Sequence, residues 1–522
     1  MNSTTQAYIT RDEPFGPIDS TDIDPRDAAS LEKLFEQHNW VYKNMRYRPS
    51  IIMGRKGSGK TSYLRTVYFN KQYDHVTEIR TDHALTHISK VIQGTTKGAL
   101  FTETLAELWK IIFWMCMLCE IQDSSILPSD ERTRVKEYLE RVNMLNLRSA
   151  EEVLWKLAGI FDEFVETIQQ GGLSEILRLF DHVMFNGTVQ AVEYNLKTAN
   201  KRVVILMDSL DDFQLDIVSV SDSLKGLLKF VGSMNKPRDV VDVRLCLPTE
   251  LYHRVMDVSS NPNKDFRRSI NLQWTAAELV LIGAQRLKLY LERYHPDYLK
   301  RLLPLDTAVR ADALRLFQAV LPKSVRNQSG YQEETISYIL RHTQLLPRHF
   351  LIILNSIFKG EKTSQGPYPF PLDEAKILAG VRDVESRIVK EIFVAFKLNY
   401  HTAEDVCRKS IPELAHTFSV GELHKVYTRH GKSVFQGDNL FEFHRMLMEI
   451  GAIGKVIQGK ATDMYIQGSF EYTVGREIPV NHDDEMCLHP LFSGVYGTDN
   501  TERPVYPYGT GMDDKDYRDN ID

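Results

Sequence analysis

Cysteine is scarce in this sequence: five residues in 522. An odd handful in so long a chain excludes a disulfide framework and fits a reducing compartment. Cys116 and Cys119 form a C-x-x-C, but Cys246, Cys407 and Cys487 supply no second pair for a zinc site. Both lie in an apolar helical stretch, where a free thiol packs as a small hydrophobe. Long apolar runs are lacking too. The nearest to a span, Leu108 to Ile121, is uninterrupted only from Ile111 to Cys119, far short of the ~20 residues that a bilayer requires. It reads as a buried helix, and no membrane partner is expected. The opening MNSTTQAYITRDEPFG has no basic-then-apolar export signal, so a cytoplasmic location is expected. Nor is there an excess of charge of one sign. A net charge of -6 and a pI near 6.3 give no global attraction to nucleic acid, which is not favoured as a partner. His83 and His87, four apart in TDHALTHIS, lack the carboxylate of an H-E-x-x-H pattern and a third nearby ligand.

What is present is concentrated between Ser50 and Leu64, SIIMGRKGSGKTSYL. The strand-like Ile51-Ile52-Met53 breaks into Gly54-Arg55-Lys56-Gly57-Ser58-Gly59-Lys60-Thr61, with Ser62 following, and fits G-x-x-x-x-G-K-[ST] at every constrained position. A polyphosphate must be wrapped by backbone N–H groups. That calls for residues tolerating positive φ and close approach, here Gly57 and Gly59, ahead of a helix. In this pattern Lys60 neutralises the β and γ phosphates and the Thr61 hydroxyl ligates Mg²⁺. ATP or ADP with Mg²⁺ is the expected ligand.

The length suggests about three domains, and the composition, 43% hydrophobic and 26% charged, is that of a globular protein. Residues 1–46 read as a polar segment and a helix from about Pro25 to His38. An α/β core over 47–274 holds a helical insertion at 83–199. A helical lid spans 275–360, a linker 361–371, a winged-helix-like domain 372–495 and a mobile tail 496–522. In the core, Val203 to Met207 suits a central parallel strand that delivers Asp208 to its carboxyl end, where the Mg²⁺ of a phosphate-loop protein expects a carboxylate. Asp211 and Asp212 follow. The next apolar run, Val240 to Leu247, is expected beside that strand. Thr249 beyond it either senses the γ phosphate or caps a helix opening at Glu250. A short strand, Ile270 to Leu272, follows DFRRS. Tyr331 to His342 reads as a helix, and Leu346-Pro347-Arg348 opens another that runs to Phe358. Beyond the linker, helices are expected at Asp383–Phe396, Thr402–Phe418, Val420–His430 and Leu440–Ile450, then a hairpin of Ala452–Ile457, a QGKAT turn and Met464–Tyr472. The helix before the hairpin carries Glu442 and Glu449 against Arg445, too acidic for reading DNA.

With these pieces in place, the chain resembles the AAA+ and STAND division of phosphate-loop ATPases. It looks most like a bacterial group described only as phosphate-loop ATPases, and is similar also to origin-recognition ATPases. The resemblance covers roughly Phe15 to Phe358 and rests on GRKGSGKT, VVILMDSLDD and the LPR that opens the lid's final helix. It implies an α/β fold: a phosphate-loop parallel sheet with a large helical insertion, a helical lid and a C-terminal winged-helix-like domain. Phe15-Gly16 resembles the adenine-side motif of the STAND group. Arg348 resembles the lid arginine that contacts nucleotide, the alternative being a helix-surface Arg. Arg267 and Arg268 stand where oligomeric relatives present an arginine finger, the alternative being a solvated loop. AAA+ members commonly place a catalytic Glu directly after the Asp, a position held here by Ser209. D-S-L-D-D is instead similar to switch ATPases, which would make Asp211 or Asp212 the residue that orients water. The resemblance thus implies a slow ATPase or nucleotide switch. It would work as a homo-oligomer or with a protein partner on the helical insertion or C-terminal domain, in a class tied to stress response and phage defence. The competing readings are an initiator-like DNA binder and a scaffold that binds nucleotide without turnover. Salt-dependent DNA retention would mark the former.

Overall fold

The computed structural model describes residues 3–35, 49–69, 72–80, 88–89, 92–93, 101–167, 173–208, 218–234, 239–252, 256, 259, 261, 263, 266–360, 368–435, 439–457, 464–498 and 503–510. The chain divides into two compact units, one of Met1–Trp40, Lys56–Gly59 and Gln273–Asp522, the other of Val41–Arg55 and Lys60–Leu272.

The second unit is built on five strands: β1 (Ile51–Gly54), β2 (His75–Arg80), β3 (Val203–Asp208), β4 (Val241–Pro248) and β5 (Ser269–Leu272). Their order is β2-β3-β4-β1-β5 and every pairing is parallel. The unbroken apolar run of β3 and the fully buried β4 are what a parallel sheet covered on both faces demands. Two charges interrupt β4, and both find partners in place. Asp242 accepts hydrogen bonds from Tyr73 (2.6 Å) and Arg202 (2.6 Å), and the buried Arg244 lies over the Tyr63 and Tyr73 rings. Because the strands are parallel, Gly54, Asp208 and Pro248 end on one edge, with Gly54 paired to Pro248 and to Leu272.

After β1 comes the short helix α1 (Lys60–Arg65). Between β2 and β3 lie α2 (Phe101–Ile121), α3 (Ser129–Arg141), α4 (Ala150–Thr167), α5 (Leu173–Leu179) and α6 (His182–Thr198). The helix α2 is apolar and buried on every side from Ile111 to Cys119, as a core helix must be, while Glu103, Glu107 and Lys110 in its first half reach the surface. Cys116 and Cys119 sit in it, fully buried. Burial pushes the Cys119 thiol up to about 12 and Cys116 well above its ordinary value, which suits packing rather than thiolate chemistry. Among the described residues no cluster of His, Cys, Asp and Glu could hold a metal, and no helix is long and apolar enough to cross a membrane. His83 and His87 lie outside the described residues. A further helix, α7 (Val218–Ser233), packs on α2 at Gly226.

In the other unit, α8 (Ala276–Tyr294) opens on a capping box between Thr275 and Glu278. There follow α9 (Pro296–Leu302), α10 (Arg310–Val320), the hairpin β6 (Ser324–Arg326) and β7 (Gln332–Glu334), α11 (Thr335–Arg341) and α12 (Pro347–Phe358). The long α13 (Glu374–Phe396) leads to α14 (Ala403–Ser410), β8 (Thr417–Ser419), α15 (Val420–Val426), α16 (Leu440–Glu449), β9 (Ile453–Val456), β10 (Ile466–Ser469), β11 (Glu485–Leu488), α17 (Pro490–Tyr496) and β12 (Val505–Pro507). The five strands from β8 on form a sheet in the order β12-β10-β9-β11-β8.

Several expectations are corrected here. Residues 331–342 are not all helix, since 332–334 form β7, and the helix expected to 418 stops at Ser410 ahead of β8. The tail expected to be mobile from 496 contains β12, which pairs in parallel with β10 and carries a buried Tyr506. At the expected linker, residues 361–367 lie outside the described set. Tyr368 and Phe370 pack their rings on Tyr298 at 4.9 and 5.1 Å, so the end of that stretch is held by aromatic contact.

Two glycines give opposite expectations. A Cβ at Gly226 would lie 2.5 Å from Leu105 Cβ, so Gly226→Ala should destabilise by about 1–3 kcal/mol despite its better helix propensity. Gly159, on the exposed face of α4, has nothing within 4 Å, and Gly159→Ala should stabilise by about 0.5–1 kcal/mol. Thermal unfolding of the two variants should move Tm in opposite directions.

Candidate phosphate-loop site

The loop from Gly54 to Lys60 is a turn between the end of β1 and the start of α1. Its path requires left-handed backbone at Gly57 (φ +88) and Gly59 (φ +89), where a Cβ is strained. Lys60 is buried, and its Nζ donates to the carbonyls of Gly54 (3.0 Å) and Arg55 (3.3 Å), so the ammonium spans back to the end of the strand. Arg55, Lys56 and Thr61 are half-buried, whereas Ser58 and Ser62 are buried. The Ser58 hydroxyl is enclosed without a hydrogen-bond partner.

The loop's apex is held from outside. The indole N–H of the buried Trp274 donates to the Ser58 carbonyl at 2.7 Å. At Gly57, the Arg348 backbone N–H points to the Gly57 carbonyl at 3.4 Å, and a Cβ there would come within 3.0 Å of Arg348 Cβ. Position 57 is thus glycine for two reasons, its φ and its neighbour. The Arg348 side chain, half-buried, donates from Nη2 to Asp19 Oδ2 at 2.5 Å.

The segment that presents Asp19 is itself anchored. Asn355 accepts from the Phe15 N–H (2.7 Å) and donates to the Gly16 carbonyl (3.1 Å). Arg286 donates to the carbonyls of Phe15 (2.8 Å), Pro17 (2.6 Å) and Leu34 (2.8 Å) and lies over the Phe35 ring at 4.7 Å. Complete burial pushes the Arg286 pKa down to about 9, leaving it charged at neutral pH. The Phe15 ring is fully buried and meets Phe358 edge-on at 5.1 Å. This corrects the expectation for Phe15: its side chain is core, and a ligand could meet that stretch only through its backbone.

Along the strand edge, Asp208 is half-buried at the end of β3, one strand removed from β1. At ~4.8 Å per strand it stands ~10 Å across the sheet from β1, a separation suited to acting through a metal's water shell. Thr249 begins the 3-10 turn Thr249–Leu251 just beyond Pro248, the partner of Gly54. No side-chain cap bond forms there, and the Thr249 hydroxyl is buried without a hydrogen-bond partner. The capping alternative is therefore not realised. Asp211 and Asp212 lie outside the described residues. Arg267 is exposed and Arg268 half-buried in the turn before β5, where the Arg268 carbonyl accepts from Ser50 N–H at 2.9 Å. That is the amino end of β5, opposite the edge carrying Gly54, so the fold does not bring these arginines to the loop of their own chain.

Sequence reasoning missed Trp274, Asp19, Arg286 and Asn355. One signal was available for Trp274. It directly precedes the T-x-x-E capping pattern, and a buried indole N–H must find an acceptor.

No protein-family model matches the sequence, and no curated protein matches it. Among solved structures, the chain is similar to one described as "Structure of the Aeropyrum Pernix ORC2 protein (ADPNP-ADP complexes)", at 12% identity over 92% of this chain and 95% of that one, with a TM-score of 0.35. A superposition that loose carries no argument about this site.

Replacing Arg286 by Met should leave three buried carbonyls without donors, at a cost of about 1–3 kcal/mol for each unpaired group. Amide hydrogen exchange should show protection falling over residues 8–35 well before it falls in β3 and β4.

Proposed function

We propose that this chain binds Mg·ATP through Gly54–Ser62 and hydrolyses it slowly, as a nucleotide-dependent switch of the AAA+ kind. The observation that carries the reading is the loop itself: left-handed glycines at 57 and 59, a buried Lys60 ammonium across its base, and enclosed, unpartnered hydroxyls on Ser58 and Thr249. Such donors, fixed beforehand, suit a polyphosphate better than any other common anion. Mg²⁺ fits the sparse donor set of Thr61 and Asp208, because it keeps several waters and takes few protein ligands beside substrate phosphates. When bound, it would neutralise charge on the phosphates.

The roles then divide. Lys60 binds the β and γ phosphates, Thr249 meets the γ phosphate or the attacking water, and Asp211 or Asp212 orients that water. Ser209, in place of a directly adjacent glutamate, accounts for slow turnover and a switch-like cycle. Arg348 binds nucleotide from the lid, and Arg267 or Arg268 completes the site of a second copy in a homo-oligomer, since the turn before β5 faces away from its own loop edge. A partner protein on the helical insertion or C-terminal sheet is the natural recipient of the signal. The class resemblance is the basis for proposing that such a switch works in the bacterial cytoplasm, in stress response or phage defence. DNA is the poorer recipient. On α16, Arg445 is bound to Glu449 at 2.6 Å, and the large exposed side chain is Phe441.

Lys60→Ala should remove about 2–4 kcal/mol of charge-assisted binding, weakening ATP affinity by roughly 30-fold or more in titration calorimetry. Unchanged affinity would end the nucleotide reading.

The acids should separate by role. Asp208→Asn should abolish the Mg²⁺ dependence of binding or turnover, because an amide cannot hold the metal's shell as a carboxylate does. Asp211→Asn or Asp212→Asn should spare binding and slow phosphate release in steady-state kinetics. Parental turnover in both would move the water-orienting role elsewhere.

A further inference from the structure

The contact between Arg348 and Asp19 has no place in the functional reading above, and an aspartate there is electrostatically adverse to it. Arg348 reaches the loop from the first turn of α12, whose start is fixed by Pro347, and its Cβ abuts Gly57. Its guanidinium ends on Asp19 Oδ2 at 2.5 Å. Asp19 is not a freely swinging partner. Its other oxygen, Oδ1, accepts from the Thr21 N–H (3.0 Å) and the Thr21 hydroxyl (2.9 Å), capping the turn Ser20–Asp22. The backbone four and two residues before it is held by Arg286 through the carbonyls of Phe15 and Pro17. A carboxylate is thus fixed at the end of the arginine that overlies the phosphate-binding turn.

From this geometry we infer that Asp19 is a positioning residue that competes with nucleotide phosphate for Arg348. The inference rests on the nucleotide reading given above. While paired with Asp19, Arg348 is neutralised and drawn toward the N-terminal segment. A polyphosphate on the loop draws the same guanidinium toward itself and must weaken the bond to Asp19 to do so. Asp19 therefore sets the threshold at which the lid responds to anion, and the segment 15–19 registers whether Arg348 has been taken.

The test is a double-mutant cycle on ATP affinity, by titration calorimetry on the full chain. Asp19→Asn keeps an acceptor for Thr21 and removes the charge. Asp19→Ser, also a good N-cap, is the second variant in case the amide disturbs the turn. Each should bind ATP more tightly than the parent by roughly fivefold, the scale of a half-exposed ion pair. That gain should vanish in the Arg348→Ala background. A gain that persists without Arg348 would mean that Asp19 acts on the phosphates by charge alone, and would overturn the competition. Unchanged or weaker binding in both single variants would reduce Asp19 to a turn cap and overturn it equally. Failure of the underlying reading looks different: the parent itself, and not only these variants, would fail to bind ATP, and the inference would fall with it.

Discussion

The candidate site depends on a left-handed backbone that favours glycine at Gly57 and that three separate contacts then hold. The left-handed conformation costs an ordinary residue ~1–2 kcal/mol, and the Arg348 Cβ closes the space where a side chain would go. One residue on, Trp274 fixes the Ser58 carbonyl. Two residues further, Lys60 returns its ammonium to the end of β1. A loop tied at its apex, flank and base presents its N–H groups in one arrangement before any anion arrives. That is the condition under which such donors bind most effectively, because no reorganisation remains to be paid for.

The parallel sheet supplies the second fixed point. Since all five strands run the same way, whatever follows each strand emerges on one edge, and β4 lies between the loop strand and the acid strand. Thr249 is delivered between Gly54 and Asp208 by strand order alone. Pro248 before it cannot continue the ladder, and the turn that results leaves the hydroxyl buried and unspent. The same directionality sends Arg267 and Arg268 to the far edge. One topology thus accounts for which candidates stand at the loop's own edge of the sheet and which do not.

What was legible in the sequence was whatever a local pattern encodes. The loop is a contiguous motif, β3 is an unbroken apolar run, β4 a nearly unbroken one, and α2 is apolar on every side from Ile111 to Cys119, so each announces itself within a short window. Asp19, Arg286 and Asn355 carry no pattern, because their meaning lies in partners hundreds of residues away, as with Asn355 on Phe15. Strands of three residues, such as β6, β7, β8 and β12, fall below the length at which alternation can be counted. Around β7 the pattern also misleads. Glu333 falls in a stretch that reads as helix, yet it is the inward-facing residue of a strand, buried at 4% exposure.

That buried acid explains how the C-terminal part is joined to the helices that carry Arg348. Glu333 takes both a 2.7 Å and a 2.9 Å bond from Arg341, another from Asn327, and a short one from the Tyr506 hydroxyl on β12. Burial alone would raise its pKa, but the Arg341 charge and these donors outweigh it and hold the carboxyl below its ordinary value. Removing one member of such a pair strands the other, at ~3–5 kcal/mol, so the join is costly to open. Next to it, His342 Nδ1 meets Glu385 of α13 at 2.6 Å. Gly380, also on α13, lets that helix approach Ile357 of α12 so closely that a Cβ would sit 2.7 Å from its side chain. On the proposed reading, a displacement of Arg348 at the start of α12 therefore meets a tightly packed partner in α13 at that helix's other end. Polar bonds run on from there toward β12. The helices α11 to α13 and the C-terminal sheet are coupled by packing and by a satisfied buried charge, so motion in one should be carried to the other rather than absorbed between them.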